Sequence, residues 1–270
     1  MRSPSPLALL GGLAAGFLLV RERHTRQASE RLAAAALETV LNAIDANDAQ
    51  TGHHARRVAK YALILADAAG LREHEIREVE RVALFHDVGK IHEALFDIIH
   101  ERARLTTAER RAIATHPYRG AEVLAPLTPF YPDLAEGVLS HHERWDGRGY
   151  PRRLRGRRIP LAARIVTLAD TFDAITHDRR YRGEQSIAQA RRAIAEGRGT
   201  QFDPELVDLM LLPPVLARLR EAHRKSLSPT PRPGNRRGGR AERHTPDLTF
   251  RWRSEWLGSP SRDRQPQKSR

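Results

Sequence analysis

Apolar positions along this chain recur at helical spacing in one segment after another. No stretch of strand length alternates apolar with polar residues. From Ser29 to about Asp48, Leu32, Ala36, Val40 and Ile44 fall on one face of an alanine-rich helix. A second helix is expected to open at His54, with Val58, Leu63, Leu65 and Ala66 buried and Gly70 as its stop. The next segment, EHEIREVERVALFHDVGK, is amphipathic to Val82 and then wholly apolar until it meets His86 and Asp87. Thr106 and Glu109 have the spacing of a capping box for a helix reaching His116, and Pro117 restarts the chain. Asp133 caps the segment DLAEGVLSHH, and Pro160 precedes LAARIVTLADTFDAIT. A helix from Ser186 to Glu196 ends at Gly197 and Gly199; Asp203-Pro204 opens the next, and Pro213-Pro214 separates it from a last helix ending near Arg224. The pattern predicts an all-α body over residues 29–225.

The two ends differ from this body. Residues 6–20 carry no charge and stop at Arg21-Glu22-Arg23-His24. The run is shorter than the ~20 residues of a full bilayer span. The basic residues follow it, which by the positive-inside rule would keep the downstream chain in the cytoplasm. We therefore expect residues 1–28 to be a single inner-membrane anchor with its basic flank, a cleaved signal or a buried helix being the alternatives. From residue 226 the chain is rich in Arg, Pro, Ser and Gly without periodicity and is expected to be a disordered tail. That tail concentrates the charge: residues 224–270 carry a net +9 out of +13 for the whole chain. A partner for it would be nucleic acid or anionic lipid, while the body at a net +4 is not a nucleic-acid-binding surface by composition. Absence of cysteine excludes disulfides and thiolate metal sites, so any metal must be held by nitrogen and oxygen.

Candidates for such ligands are unusually placed. His86 and Asp87 end an apolar helix, His141 and His142 end another, and Asp170 interrupts a third. A lone buried carboxylate is costly, so these groups need partners, and a metal supplies them. With His54 and His116 they make five imidazoles and two carboxylates, a donor set suited to two divalent ions. Two ions about 3.5–4 Å apart, bridged by Asp87 and a hydroxide, would clamp the oxygens of an in-line phosphoryl displacement. Lys90, Arg179 and Arg182 are cations available for phosphate oxygens.

In this order the segments DANDAQTGHHARRV, HDVGK, HPYRGAEVL, HHERWDGRGYP, IPLAARIVTLADTFDAIT with DRRYR, and GTQFDPEL resemble the HD-GYP family of cyclic dinucleotide phosphodiesterases. The resemblance runs from about Asp45 to Leu206. It implies an HD-type helical bundle extended by the GYP loop and C-terminal helices. It also implies two transition metal ions, Fe or Mn. One would be held by His54, His86, Asp87 and Asp170, the other by Asp87, His116, His141 and His142. Substrate would meet Lys90, Arg179, Arg182 and the loop Gly149-Tyr150-Pro151, with Asp87 and Lys90 as the catalytic residues. The implied reaction is hydrolysis of cyclic di-GMP to pGpG and onward to GMP. Another cyclic dinucleotide or nucleotide, or a silent ligand-binding adaptor, are the alternatives, and a homodimer is compatible with all of them. Some members hold a third metal on a glutamate at the place of Gln50, whose neutrality favours a binuclear site. The stretch IHEALFDIIHERARLT after Lys90 also departs from the family pattern.

Overall fold

A computed structural model describes residues 6–91, 106–177 and 184–227, with no side-chain detail for 6–20, 47, 184 and 185. The expected tail, Arg179, Arg182 and the divergent stretch after Ile91 therefore lie outside the described residues. Among those described every named element is a helix, and the one bridge, between Arg198 and Phe202, is isolated.

The first helix, α1 (Pro6–Asn47), is continuous. The helix expected from Ser29 thus begins far earlier, because Arg and Glu favour helix and the switch from apolar to charged residues changes the surroundings of a helix without ending it. Ala33, Leu37 and Ile44 are buried, whereas residues 21–32 are exposed. No helix of the described residues is long and apolar enough to cross a membrane, so the expected anchor over residues 6–20 gains no support here.

Helix α2 (Ala49–Ala68) starts five residues before His54 because Asp48 accepts a hydrogen bond from the Gln50 amide and caps it. Its second half is buried on every side, as its near-continuous apolar run requires. Around it pack α1, α3 (Glu73–Phe85), α7 (Leu161–Thr176) and α10 (Pro213–Leu227). The α2–α7 contact is fixed by Tyr61 and Phe172, whose rings meet edge to face at 5.0 Å.

Short elements complete the frame: α4 (Thr107–Ile113), α5 (His116–Leu124), α6 (Leu134–Ser140), α8 (Glu184–Glu196) and α9 (Pro204–Met210). The capping box read at Thr106 and Glu109 is present at α4. Asp133 sits at the start of α6 without a side-chain cap. After α3 the chain tightens into a 3₁₀ turn, Val88–Ile91, that lies against α5. A Cβ at Gly89 would stand 2.1 Å from the His116 carbonyl oxygen, so only glycine permits this approach. The contact brings the end of α3, with His86 and Asp87, beside the start of α5, with His116.

Candidate metal centre

Each expected ligand arrives on the end or inward face of a different helix. His54 comes from α2, His86 and Asp87 from the end of α3, and His116 from the start of α5. His141 and His142 follow α6, and Asp170 stands on α7. Donor atoms of His116, His141 and His142 lie within 4.8 Å of one another, and so do those of His54, His86 and Asp170. Asp87 stands between the two groups. Its Oδ1 is 3.3 Å from His116 Nε2, and its Oδ2 is 3.4 Å from His86 Nε2 and 3.7 Å from His54 Nε2. His53, the neighbour of His54, is exposed and takes no part, and Gln50 is exposed as well.

The tautomers follow from the backbone. Nδ1 of His86, His116 and His141 lies 2.8, 2.8 and 2.6 Å from the carbonyl oxygens of Ala83, Ile113 and Val138. A carbonyl can only accept, so each Nδ1 carries the proton, and the neutral form of each ring turns a bare Nε2 lone pair to the centre. Two of these, on His116 and His141, converge to 3.1 Å. His86 Nε2 and Asp87 Oδ1 are buried without a hydrogen-bond partner. Lone pairs gathered this closely in a buried place repel unless a cation accepts them. A nitrogen and oxygen donor set of this kind fits a divalent transition metal.

The electrostatics agree. Burial, reinforced by the neighbouring His116, holds the His142 pKa at about 4, so the ring is neutral near neutral pH. Burial likewise depresses His86 and His141. Burial also opposes charge on Asp87, yet Lys90 at 2.6 Å and the surrounding imidazoles keep it ionised. His54 is different. Burial disfavours its charged form, but hydrogen bonds to Asp170 and Asp173 and the charges of Asp87 and Asp170 prevail, raising its pKa to about 10.

Metal-free protein should consequently lose stability as the pH rises from about 6.5 to about 10. At the low end both folded and unfolded chains bind the His54 proton, and its contribution is fully present. Through the window the unfolded chain releases the proton first, so each step upward favours unfolding. Thermal unfolding of chelator-treated protein across this range should show the decline, and His54→Gln should flatten it.

The loop Gly149-Tyr150-Pro151 is placed by Glu143, a buried carboxylate that accepts from the Arg152 amide at 2.7 Å and the Leu154 amide at 3.0 Å. Gly149 packs against the backbone of Glu143 and Arg144 and leaves no room for a side chain. Tyr150 stacks on His142 with centroids 5.0 Å apart, while Pro151 is exposed. Of the three, only Tyr150 is shown touching a ring of the centre. Arg153 takes a left-handed φ of 56°. That conformation costs an L-residue about 1–2 kcal/mol, so Arg153→Gly should stabilise the protein by roughly 0.5–1 kcal/mol after glycine's own entropy cost. Denaturant unfolding would measure it.

Three supporting residues escaped the sequence reading: Asp173, Arg57 and Glu143. Asp173 is 1% exposed and accepts from His54 Nδ1 at 2.7 Å and from Arg57 at 2.8 and 2.9 Å. His177 lies 3.0 Å from the same carboxylate. The signal was available. Asp170 and Asp173, like His54 and Arg57, are three residues apart and share a helix face.

The HD domain family model matches residues 38–206, the stretch that contains every residue of this centre. This chain belongs to the HD domain family. The HD-GYP resemblance read from its motifs is borne out by named relatives. A 3′3′-cGAMP-specific phosphodiesterase of Vibrio cholerae is 37% identical over 63% of this chain and 33% of its own length. The cyclic di-GMP phosphodiesterase response regulator RpfG of Xanthomonas campestris is 37% identical over 65% of this chain and 46% of its own. A cyclic di-GMP phosphodiesterase of Thermotoga maritima is 36% identical over 61% and 45%. The matched region thus spans less than half of each of these relatives. The crystal structure of a cyclic GMP-AMP-specific phosphodiesterase from V. cholerae superposes with a TM-score of 0.51 at 23% identity, covering 73% of this chain and 53% of that one. It supports the all-α HD fold.

Proposed function

We propose that this HD domain protein is a metal-dependent phosphodiesterase that opens a cyclic dinucleotide, with cyclic di-GMP as the first substrate to test and a 3′3′-linked cyclic GMP-AMP as the second. The observation that carries the reading is the convergence of bare imidazole lone pairs and the Asp87 carboxylate in a buried site. The names borne by its relatives supply the substrate class.

In this reading His54, His86, Asp87 and Asp170 hold one divalent ion, and Asp87, His116, His141 and His142 hold the other, Fe or Mn being suited to the nitrogen and oxygen donors. Bound there, the ions would polarise phosphoryl oxygens and lower the pKa of water at the centre. The chain's own residues set the stage. The carbonyls of Ala83, Ile113 and Val138 hold three imidazoles in one tautomer. Asp173 holds His54. Lys90 keeps a cation beside Asp87, where it can meet a phosphate oxygen. Tyr150 walls the centre on the His142 side and offers an aromatic face and a hydroxyl to the substrate.

The test is hydrolysis by the full chain loaded anaerobically with Fe(II) or Mn(II), with products separated by chromatography and bound metal counted. The reading expects pGpG or GMP and two metals per chain. Full metal loading without cleavage of any cyclic dinucleotide would leave only a ligand-binding role.

A further inference from the structure

The body's positive charge is not spread over its surface. Residues 143–158 carry seven arginines against Glu143 and Asp146, a net +5, whereas residues 1–223 in total carry only +4. This one loop therefore holds more than the whole excess, and the rest of the body is slightly acidic.

Three of the seven arginines are committed to carboxylates. Arg144 pairs with Asp146 at 2.9 Å, Arg157 with Glu205 at 2.6 Å, and Arg152 with Glu136. The other four, Arg148, Arg153, Arg155 and Arg158, are exposed. None of them has a carboxylate within 4.0 Å among the described residues. The loop that carries them is firmly held. Besides the Glu143 contacts, the amides of Trp145 and Asp146 donate to Gln201 and Thr200 at 3.2 and 2.8 Å, and Gly156 donates to Trp145 at 3.0 Å. One end of the loop is His142 and the other is the start of α7, which bears Asp170. Its middle is Tyr150, stacked on His142. The backbone that carries these unpaired guanidinium groups is thus held in place, and it meets the centre where Tyr150 stacks on His142. One of them, Arg153, keeps its place at the cost of a left-handed backbone.

We propose that Arg148, Arg153, Arg155 and Arg158 form a cationic collar that gathers multiply charged phosphodiesters to the His/Asp centre, an inference that rests on the phosphodiesterase reading above. A cyclic dinucleotide carries one negative charge on each of two phosphodiesters. At physiological ionic strength a charge is felt over about 8 Å, so the collar need not touch the substrate to raise its concentration at the mouth. Same-sign charge around a cleft accelerates capture by about 10–10³-fold. A solvated arginine run would account for the exposure. It would not account for a net charge confined to the loop that runs from His142 to the helix bearing Asp170. The collar also selects, because a dianion gains about twice what a monoanion gains.

The experiment compares the full, metal-loaded chain with a fourfold variant, R148Q/R153N/R155Q/R158Q, and with the milder R155Q/R158Q. Asparagine is chosen at 153 because it tolerates the left-handed backbone. Rates on cyclic di-GMP and on the monoanion bis(p-nitrophenyl) phosphate are followed from low to physiological salt. The fourfold variant should keep its metal and hold kcat within about twofold while kcat/KM for cyclic di-GMP falls about tenfold at low salt. That gap should close as salt is added and be smaller for the monoanion. The milder variant should show the same trend at about half the size on a logarithmic scale, and it decides the matter if the fourfold variant fails to fold. A metal-replete variant with the parent's kcat/KM and salt slope overturns the collar alone. No turnover of any cyclic dinucleotide by the parent overturns the phosphodiesterase reading beneath it.

Discussion

Asp87→Asn should abolish turnover, lowering it by at least about a thousand-fold, or about 4 kcal/mol of transition-state stabilisation. The bound-metal count should fall from the two proposed to one or none. The reason is the position of Asp87 between the two groups of donors, with one oxygen facing His116 and the other facing His86 and His54. An amide has nearly the same shape but exchanges an anionic acceptor for an N–H donor. That N–H can hydrogen bond to a bare imidazole nitrogen, which satisfies the metal-free site and opposes metal entry. Lys90 loses its ion pair, but its side chain is 29% exposed and can turn to water. The variant should therefore fold, with a circular dichroism spectrum like that of the parent. Replacing His86 and Asp87 together by Ala should likewise leave a helical protein without metal or activity. A variant at Asp87 that retains both ions and turns over at the parental rate would remove this residue from the catalytic assignment.

How far the sequence revealed this centre depends on which forces left a local mark. Helix existence was legible because burial of one face imposes its period on the chain: α3 and α7 appear as read, α2 does so apart from its earlier start, and the Thr106–Glu109 box caps α4. Boundaries set by charge alone were not. The Arg21–His24 cluster ends the uncharged run, but a change of charge does not end a helix, and α1 runs through it to Asn47. Five of the seven proposed ligands, His86, Asp87, His141, His142 and Asp170, were legible because a carboxylate or imidazole at the end of an apolar segment or within one is costly without a partner. That cost does not identify the partners of the ligands. Glu143 follows the histidine pair with no mark of its own in the pattern, and its role emerges only when the loop folds back to place two amides on its carboxylate. The collar was invisible for a related reason. Counting charge over the whole body averages the loop against an acidic remainder, and pairing is a tertiary property.

Asp173 shows best what a residue that holds a ligand without being one can do, and Asp173→Asn should weaken metal binding by about 10–100-fold. Both carboxylate oxygens are engaged as acceptors: Oδ1 by Arg57 Nε, Oδ2 by Arg57 Nη2 and by His54 Nδ1. An asparagine has one carbonyl oxygen and one NH₂ group, so in either orientation it sets a donor against a donor. With the NH₂ in the Oδ2 place His54 loses the contact that fixes Nδ1 as its protonated nitrogen and aims Nε2 at Asp170, 3.2 Å away; with it in the Oδ1 place the Arg57 Nε bond that holds the acceptor toward His54 is lost. The loss should fall on the ion assigned to His54, His86 and Asp170, while the His116, His141 and His142 group keeps its own. At limiting metal the variant should bind one ion per chain, and excess metal should restore two ions together with most of kcat. A purely structural role for Asp173 predicts something else: a lower unfolding temperature, both ions weakened alike, and no rescue by added metal. Metal titration with turnover measured in parallel separates the two, because only a positioning residue yields a deficit that metal alone repairs.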